Sequence, residues 1–338
     1  MNTNSASKKV ISMVCLIAGI VLLAVALIQD ISKTGAGWRG QALIIGAICV
    51  LLGMYLFPTL KHHRSIVNFI FVFPLLFTFA VTVIIPLCLG VFYSFTDWNG
   101  IRMNGFVGFA NYKAMFGDAS FLWSLLITIL FVVLNMILIN VVAFLLALLC
   151  TSNIKGISFF RASYFLPNLI GGIVLGYIWQ LIFNGVLSRY GTALALNEWY
   201  GFWGLIILVS WQQIGYMMII YTTGLNNIPK DLSEAAAIDG AGTWQRFKSI
   251  TVPMLMPSFT IVFFLTLSKC FMLLDQNVAL TDGNFSTRML AMQILYTTRD
   301  GSPPDYGLAQ AQAVIFFVLI AAVTLVQVSI TSKKEVEL

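Results

Sequence analysis

Long apolar runs alternate with short polar breaks along nearly the whole chain. A helix needs about 20 mostly apolar residues to cross a bilayer. Eight runs approach or exceed that length: 10–28, 41–60, 66–95, 122–150, 162–183, 202–225, 258–274 and 308–330. The pattern predicts an all-α membrane protein with eight transmembrane helices. The third and fourth runs are longer than a straight crossing requires, an excess that tilt or an extra-membrane turn absorbs. Pro74 and Pro86 predict kinks in the third.

The longest polar-rich break, 228–257, has its own pattern of helix, glycine turn, helix. Pro229 suits a first helical turn, where its missing N–H loses nothing. Leu232, Ala235 and Ala236 repeat at helical spacing. Gly240-Ala241-Gly242 stops the helix, with Gly240 free to take positive φ. Thr243 is the expected cap of the next helix. Trp244, Phe247 and Ile250 recur every third residue on one face, with Arg246 and Lys248 off it, and Pro253 and Pro257 end the segment. Taken alone, this could be two amphipathic helices lying on a membrane surface.

Composition agrees with a polytopic protein. The chain is 59% hydrophobic and 9% charged, against roughly a quarter charged in a soluble domain. The net charge of +6 has a topological origin. With the N-terminus in the cytoplasm, eleven Lys and Arg fall inside and seven outside, while five acidic residues fall inside and seven in outer loops. That asymmetry obeys the positive-inside rule and places both termini in the cytoplasm. It removes the reason to invoke nucleic acid. Lys8-Lys9 before the first run resembles a signal peptide, but the run is long and Ala26-Leu27-Ile28 offers no small-x-small cleavage site, so a retained anchor is expected.

Five cysteines lie inside apolar runs without CxxC spacing and are expected as small buried hydrophobes. His62 and His63 have no ligand-spaced partners and belong to a basic loop. No metal site is expected. Within the spans there is no Ser-His-Asp set, His cluster or paired carboxylate, and the chain has no Gly-x-x-x-x-Gly-Lys-Ser/Thr. Neither catalytic residues nor a bound cofactor are expected.

Polar groups inside spans are costly and mark candidate sites. The fifth run carries Asn168, Tyr177, Gln180 and Asn184, the last three on one helical face. The sixth carries Trp211, Gln212, Gln213 and Tyr216. The seventh carries Thr266, Lys269 and Cys270, again on one face. Amides and hydroxyls suit sugar hydroxyls, and aromatic rings suit sugar ring faces. Helix–helix hydrogen bonding explains each of these residues equally well. Lys269 needs a partner: a second subunit's carboxylate, a backbone carbonyl, water or an anionic substrate. The last would make the cargo an acidic saccharide.

Glu234-Ala235-Ala236, Asp239-Gly240-Ala241, Phe247, Ile250, Pro253 and Pro257, in that order, resemble the EAA loop of ATP-binding-cassette importer permeases. Phe106-Val-Gly-Phe-Ala-Asn-Tyr112 resembles the "FxGxxNY" segment of the carbohydrate importers among them. Lys155-Gly156, Phe160-Arg161, Phe165-Leu166-Pro167 and Leu274-Asp275 through Leu280-Thr281-Asp282-Gly283 follow in the family's order, the last without its final glycine-proline. The resemblance implies a type I, binding-protein-dependent carbohydrate importer permease. Its six-helix core would occupy 66–338, after an N-terminal two-helix hairpin at 1–65. The larger membrane subunit of the maltose transporter has that plan too, plus a periplasmic domain for which 96–121 leaves no room here.

The resemblance further implies that Glu234, Ala235, Ala236, Asp239, Gly240 and Ala241 couple the chain to an ATPase that holds the ATP and Mg. Trp211, Gln212, Gln213, Tyr216, Thr266, Lys269 and Cys270 then fall in the sugar-contacting region. Implied partners are a second, homologous permease subunit, two ATPase copies, an extracytoplasmic solute-binding protein and the lipid of a prokaryotic cytoplasmic membrane. Three alternatives stay open: the same machine for a solute such as glycerol phosphate, an ion-coupled transporter or channel, and a docking sensor or scaffold. An ion-coupled device needs mid-membrane carboxylates, and none is evident.

Overall fold

The computed structural model describes residues 3–31, 38–56, 63–152, 155–284, 286–300 and 304–334. The chain divides into two compact units, Met1–Leu89 and Gly90–Leu338. Much of the expected outer turn at 30–40, and Lys61-His62 of the basic loop, lie outside the described residues.

In the first unit, α1 (Thr3–Ile31) and α2 (Arg39–Leu56) pack along each other. Small residues set their closeness: a Cβ on Gly19 would come within 2.8 Å of the Gly46 carbonyl oxygen, and one on Gly53 within 2.8 Å of the Leu16 nitrogen. Ser12 donates its hydroxyl to the Gly53 carbonyl across the pair. The most apolar stretches, Val10–Ala26 and Gly40–Leu56, are shorter than a full crossing. Helix α3 (His63–Phe79) passes through a π-turn (Ala80–Ile84) into α4 (Ile85–Tyr93). The π-turn directly precedes Pro86, which has no N–H to give the preceding turn. The wider turn absorbs that loss, and Phe71–Tyr93 continues as one span. Cys88 is exposed, unlike the buried cysteine expected there, because α4 has no buried residue.

The second unit opens with β1 (Thr96–Trp98) and β2 (Met103–Phe106), an antiparallel hairpin. This short hairpin is an addition to an otherwise helical fold, and the periodicity did not anticipate it. Thr96, Trp98 and Phe106 favour strands, and Asn99-Gly100 turns the chain between them. Helix α5 (Ala110–Gly117) leads to α6 (Ala119–Cys150), whose first turn is capped by the Asp118 carboxylate on Ser120 N. Next come α7 (Ile157–Phe165), a 3₁₀ turn (Leu166–Leu169) and α8 (Gly172–Leu187). Then follow α9 (Glu198–Asn226), α10 (Lys230–Ile238), α11 (Thr243–Arg246) and, beyond a second π-turn, α12 (Val252–Met254). Helices α13 (Met256–Phe271), α14 (Asp275–Thr281), α15 (Leu290–Asp300) and α16 (Tyr306–Ser332) complete the unit.

Among the described residues, four helices are long and apolar enough to cross a membrane, or six spans if each of two bent pairs counts as one. The continuous fifth span expected at 162–183 is broken: α7 with its 3₁₀ turn and α8 meet at 102°. The break falls at Ile170-Gly171, just after Pro167. Helices α12 and α13 meet at 61°.

The core lies along α6, α9 and α13, around Phe131, Ile139, Leu205, Leu208, Met217, Tyr221 and Val262. Polar side chains inside it are paired across helices. Ser210 Oγ donates to Asn135 Oδ1 at 2.9 Å, and Tyr221 O–H to Asn140 Oδ1 at 2.9 Å. Such bonds hold helices together where burial against lipid supplies no drive. Helices α7 and α9 touch backbone to side face at Gly215, where a Cβ would sit 1.8 Å from the Tyr164 carbonyl oxygen.

Candidate functional site

Three residues of the sixth run and two from its neighbours converge at the 102° break. Asn168, on the 3₁₀ turn, and Lys269, on α13, both point their nitrogens at Gln213 Oε1 of α9, at 3.4 and 2.9 Å. Lys269 Nζ also sits 4.7 Å from the centre of the Tyr216 ring. Gln212 turns the other way. It donates to the Ile170 carbonyl at 3.1 Å, a group the helix break leaves free, and accepts from Gln276 Nε2 at 2.8 Å. The break therefore creates the acceptor that orients Gln212. Lys269 is half-buried and its partners are neutral, so the cluster sets one amine among amides and an aromatic ring.

The other expected path residues separate. Trp211 is partly exposed and meets Trp179 edge-on at 5.4 Å. Tyr177 is exposed. Gln180 donates to the Leu280 carbonyl at 3.1 Å, pinning α8 to α14. Thr266 and Cys270 are both buried, and neither shares a hydrogen bond with the Gln213 cluster among the described contacts. They lie one turn apart on the helix, with Cys270 in the hydrophobic core. Gln276 was missed because it follows the expected end of the seventh run. Helical spacing from Lys269 could not have found it, because α13 ends at Phe271 and Gln276 lies on α14.

The segment 228–257 folds as the sequence predicts in outline. Pro229 precedes α10 as its N-cap instead of entering the first turn. Gly240 has φ +82°, and two bonds close the end of α10, Ala241 N–H to Ala236 O at 2.9 Å and Gly240 N–H to Ala237 O at 3.1 Å. That is a Schellman ending, which needs a residue without Cβ strain at its left-handed position. Glu234, Ala235 and Asp239 are exposed, and Ala236 and Ala241 are half-buried. Thr243 does not cap the second helix. Gly242 takes the cap position, and Thr243 lies inside, accepting from Arg246 at 3.5 Å. Trp244 and Phe247 stack at 5.5 Å, yet Phe247 also meets Phe144 of α6 while Trp244 stands in the open. The π-turn Phe247–Thr251, upstream of Pro253, rotates the following residues off Trp244's face.

Two connections between the long helices are tied by single asparagines. Asn111 Nδ2 donates to the Ser94 and Thr96 carbonyls, both at 2.9 Å, and Tyr112 O–H meets Ser94 Oγ at 2.7 Å. Asn277, fully buried, donates to the Thr287 carbonyl and accepts from Met289 N–H, both at 2.9 Å. Among the described residues, no three His, Cys, Asp or Glu lie close enough to hold a metal ion.

Residues 114–335 match the family model described as "Binding-protein-dependent transport system inner membrane component". The chain is 42% identical over 279 residues to the probable starch degradation products transport system permease protein AmyD of Thermoanaerobacterium thermosulfurigenes, covering 80% of this chain and 95% of that protein. It is 33% identical over 261 residues to the multiple sugar-binding transport system permease protein MsmF of Streptococcus mutans, covering 74% of this chain and 90% of that one. Its fold matches a chain of a bacterial ABC transporter involved in the import of the acidic polysaccharide alginate, with TM-score 0.66 at 18% identity, over 81% of this chain and 97% of that chain.

Proposed function

The chain belongs to the binding-protein-dependent transport system inner membrane component family, and from that premise we propose that it is the permease subunit of an ATP-binding-cassette importer that carries a sugar or oligosaccharide into the cytoplasm. The observation that carries the coupling half is the exposed helix-turn-helix at 228–257. Glu234 stands free on α10, and the Gly240 turn lets that helix end sharply enough to enter a cleft. In this reading Glu234, Ala235, Ala236, Asp239, Gly240 and Ala241 engage one of two ATPase subunits, which hold ATP and Mg. A second, homologous permease supplies the other coupling helix, and an extracytoplasmic solute-binding protein delivers the cargo. Closure of the ATPases moves two rigid levers together and rocks the spans between outward- and inward-facing states. Chemistry stays on the partners.

The eight-span plan belongs to this proposal: α1 and α2 as a hairpin within 1–65, six core spans within 66–338, and both termini in the cytoplasm of a prokaryotic cell. The core count is supported by four long spans and two bent pairs. The path runs past Asn168, Gln212, Gln213, Tyr216 and Lys269, with Gln276 added and Tyr177 and Trp211 at its margin. Thr266, Cys270 and Gln180 then position the helices that carry it. A second reading, acidic cargo, is favoured by the Lys269 ammonium, whose partners are neutral.

The test is ATP hydrolysis by the four-subunit transporter in nanodiscs, with its binding protein and a panel of neutral and acidic saccharides. Stimulation by a saccharide, abolished by Glu234→Ala, is expected. An intact complex that no saccharide stimulates would point to another solute, and one that forms without any ATPase would remove the importer reading.

A further inference from the structure

The β1–β2 hairpin ends in an apolar tip. Ile101, between the two strands, is 90% exposed, and Met103 near it is 50% exposed. The side chains around them are polar: Asp97, Asn99, Arg102 and Asn104, of which the last two are exposed.

The tip is held still. Asn99 Oδ1 accepts from the Ile101 and Arg102 N–H groups at 3.1 and 2.8 Å, which closes the turn. The Asp97 carboxylate accepts from the Asn104 and Gly105 N–H groups at 3.0 and 2.8 Å, which locks β2 against β1. At the base, Trp98 stacks on Tyr93 at 4.3 Å and meets Tyr306 of α16 at 5.2 Å. Gly307 of α16 backs onto β1 so closely that a Cβ there would lie 2.2 Å from the Thr96 carbonyl oxygen. The hairpin's own bonds thereby fix an aliphatic side chain in water.

Its place in the fold narrows the partner. Helices α6 and α9 run parallel: Phe131 meets Phe202, and further along both helices Asn140 meets Tyr221. The end of α9 leads into 228–257, and the hairpin joins the start of α6 through α5. Hairpin and helix-turn-helix therefore stand at opposite ends of α6, which is about 48 Å long at 1.5 Å per residue. An ATPase docked on 228–257 does not reach the tip. Lipid is a poor cover as well, because it would strip water from Asp97, Arg102 and Asn104 together with Ile101. A braced apolar side chain inside a polar rim is the arrangement of an anchor between proteins, and its rigidity lowers the entropy lost on docking.

We propose that the Ile101 tip is a docking anchor for the extracytoplasmic solute-binding protein, received in an apolar pocket on that protein's surface. The anchor rests on the importer reading above and adds to it the surface by which this chain meets its delivery partner.

The test titrates the purified, saccharide-loaded solute-binding protein into the complete transporter in nanodiscs and follows ATP hydrolysis. Ile101→Asp is expected to raise the half-saturating concentration about tenfold while the plateau rate is still reached. Ile101→Leu is expected to keep the parent's curve. A photoreactive p-benzoylphenylalanine at position 101 is expected to cross-link to the binding protein. A half-saturating concentration that Ile101→Asp leaves unchanged overturns the anchor, and so does cross-linking from 101 to the second permease or to lipid alone. A parent complex that the loaded protein neither binds nor stimulates overturns the anchor together with the carbohydrate importer reading.

Discussion

Lys269 Nζ lies 2.9 Å from Gln213 Oε1, a cation in the membrane-spanning bundle held by an uncharged amide from another helix. A hydrogen bond to a charged group contributes about 1.5–3 kcal/mol. Gln213→Leu is therefore expected to lower the thermal stability of the purified complex by an amount in that range. Lys269→Met in the same background should restore part of it, since no ammonium then lacks an acceptor. Uptake separates structure from selectivity. Lys269→Gln is expected to depress import of acidic saccharides more than neutral ones, and equal effects on both would remove the acidic-cargo reading.

Gly240 sits at φ +82° where α10 ends. A residue with a Cβ pays roughly 1–2 kcal/mol there, and asparagine pays least. Gly240→Val is expected to weaken co-purification with the ATPase and to lower stimulated hydrolysis, with Gly240→Asn intermediate. Both variants should insert normally, because the turn buries no core residue. Equal recovery of ATPase with Val and Gly would count against the turn as a coupling element.

At Gly215 the obstacle is backbone. A Cβ would lie 1.8 Å from the Tyr164 carbonyl oxygen. Overpacking of this kind costs about 1–3 kcal/mol, and a carbonyl in a helix cannot rotate aside as a side chain can. Gly215→Ala is expected to force α7 away from α9 and to lower the melting temperature measurably. An unchanged melting curve would mean that the two helices separate freely.

The β1–β2 hairpin carries a pH dependence with a fixed sign. The Gly105 and Asn104 backbone N–H groups, and the Asn104 side chain, all donate to the Asp97 carboxylate, which holds its pKa below the usual value. A depressed carboxylate pKa stabilises the folded form above the unfolded value of about 3.9, and that gain is lost as pH falls through the folded value. The protection factor of the Gly105 amide, its exchange rate relative to the intrinsic rate at the same pH, should hold across neutral and mildly acidic pH and fall only below the unfolded carboxylate value of about 3.9. Asp97→Ala should show low protection throughout, and a parent protein whose protection does not fall in acid would contradict the assignment.

Hydropathy located the four long spans and the two bent ones because lipid demands it at every residue, and it located 228–257 because water does. It could not see the break at Ile170-Gly171, since the residues on both sides are apolar and what changes is backbone direction. Pro167 and the Gly171-Gly172 pair were the available sign. The polar residues within the runs were legible by type but not by orientation. Gln213 and Lys269 converge, whereas Thr266 and Cys270, one turn apart on the same helix as Lys269, are buried without joining their hydrogen bond. Which line of a helix faces a cavity depends on its neighbours' bulk, and spacing within a single run carries no record of that. The hairpin at 96–106 was too short for periodicity to register against the long helices around it.

Ile238 and Trp244, 87% and 72% exposed, flank the Gly240 turn. Apolar side chains displayed like this on a polar loop are adhesive in water. In the reading proposed above, a partner seated on the Gly240 turn covers both side chains, so the chain on its own is expected to be the less soluble form and the docked one to lose this apolar surface from water.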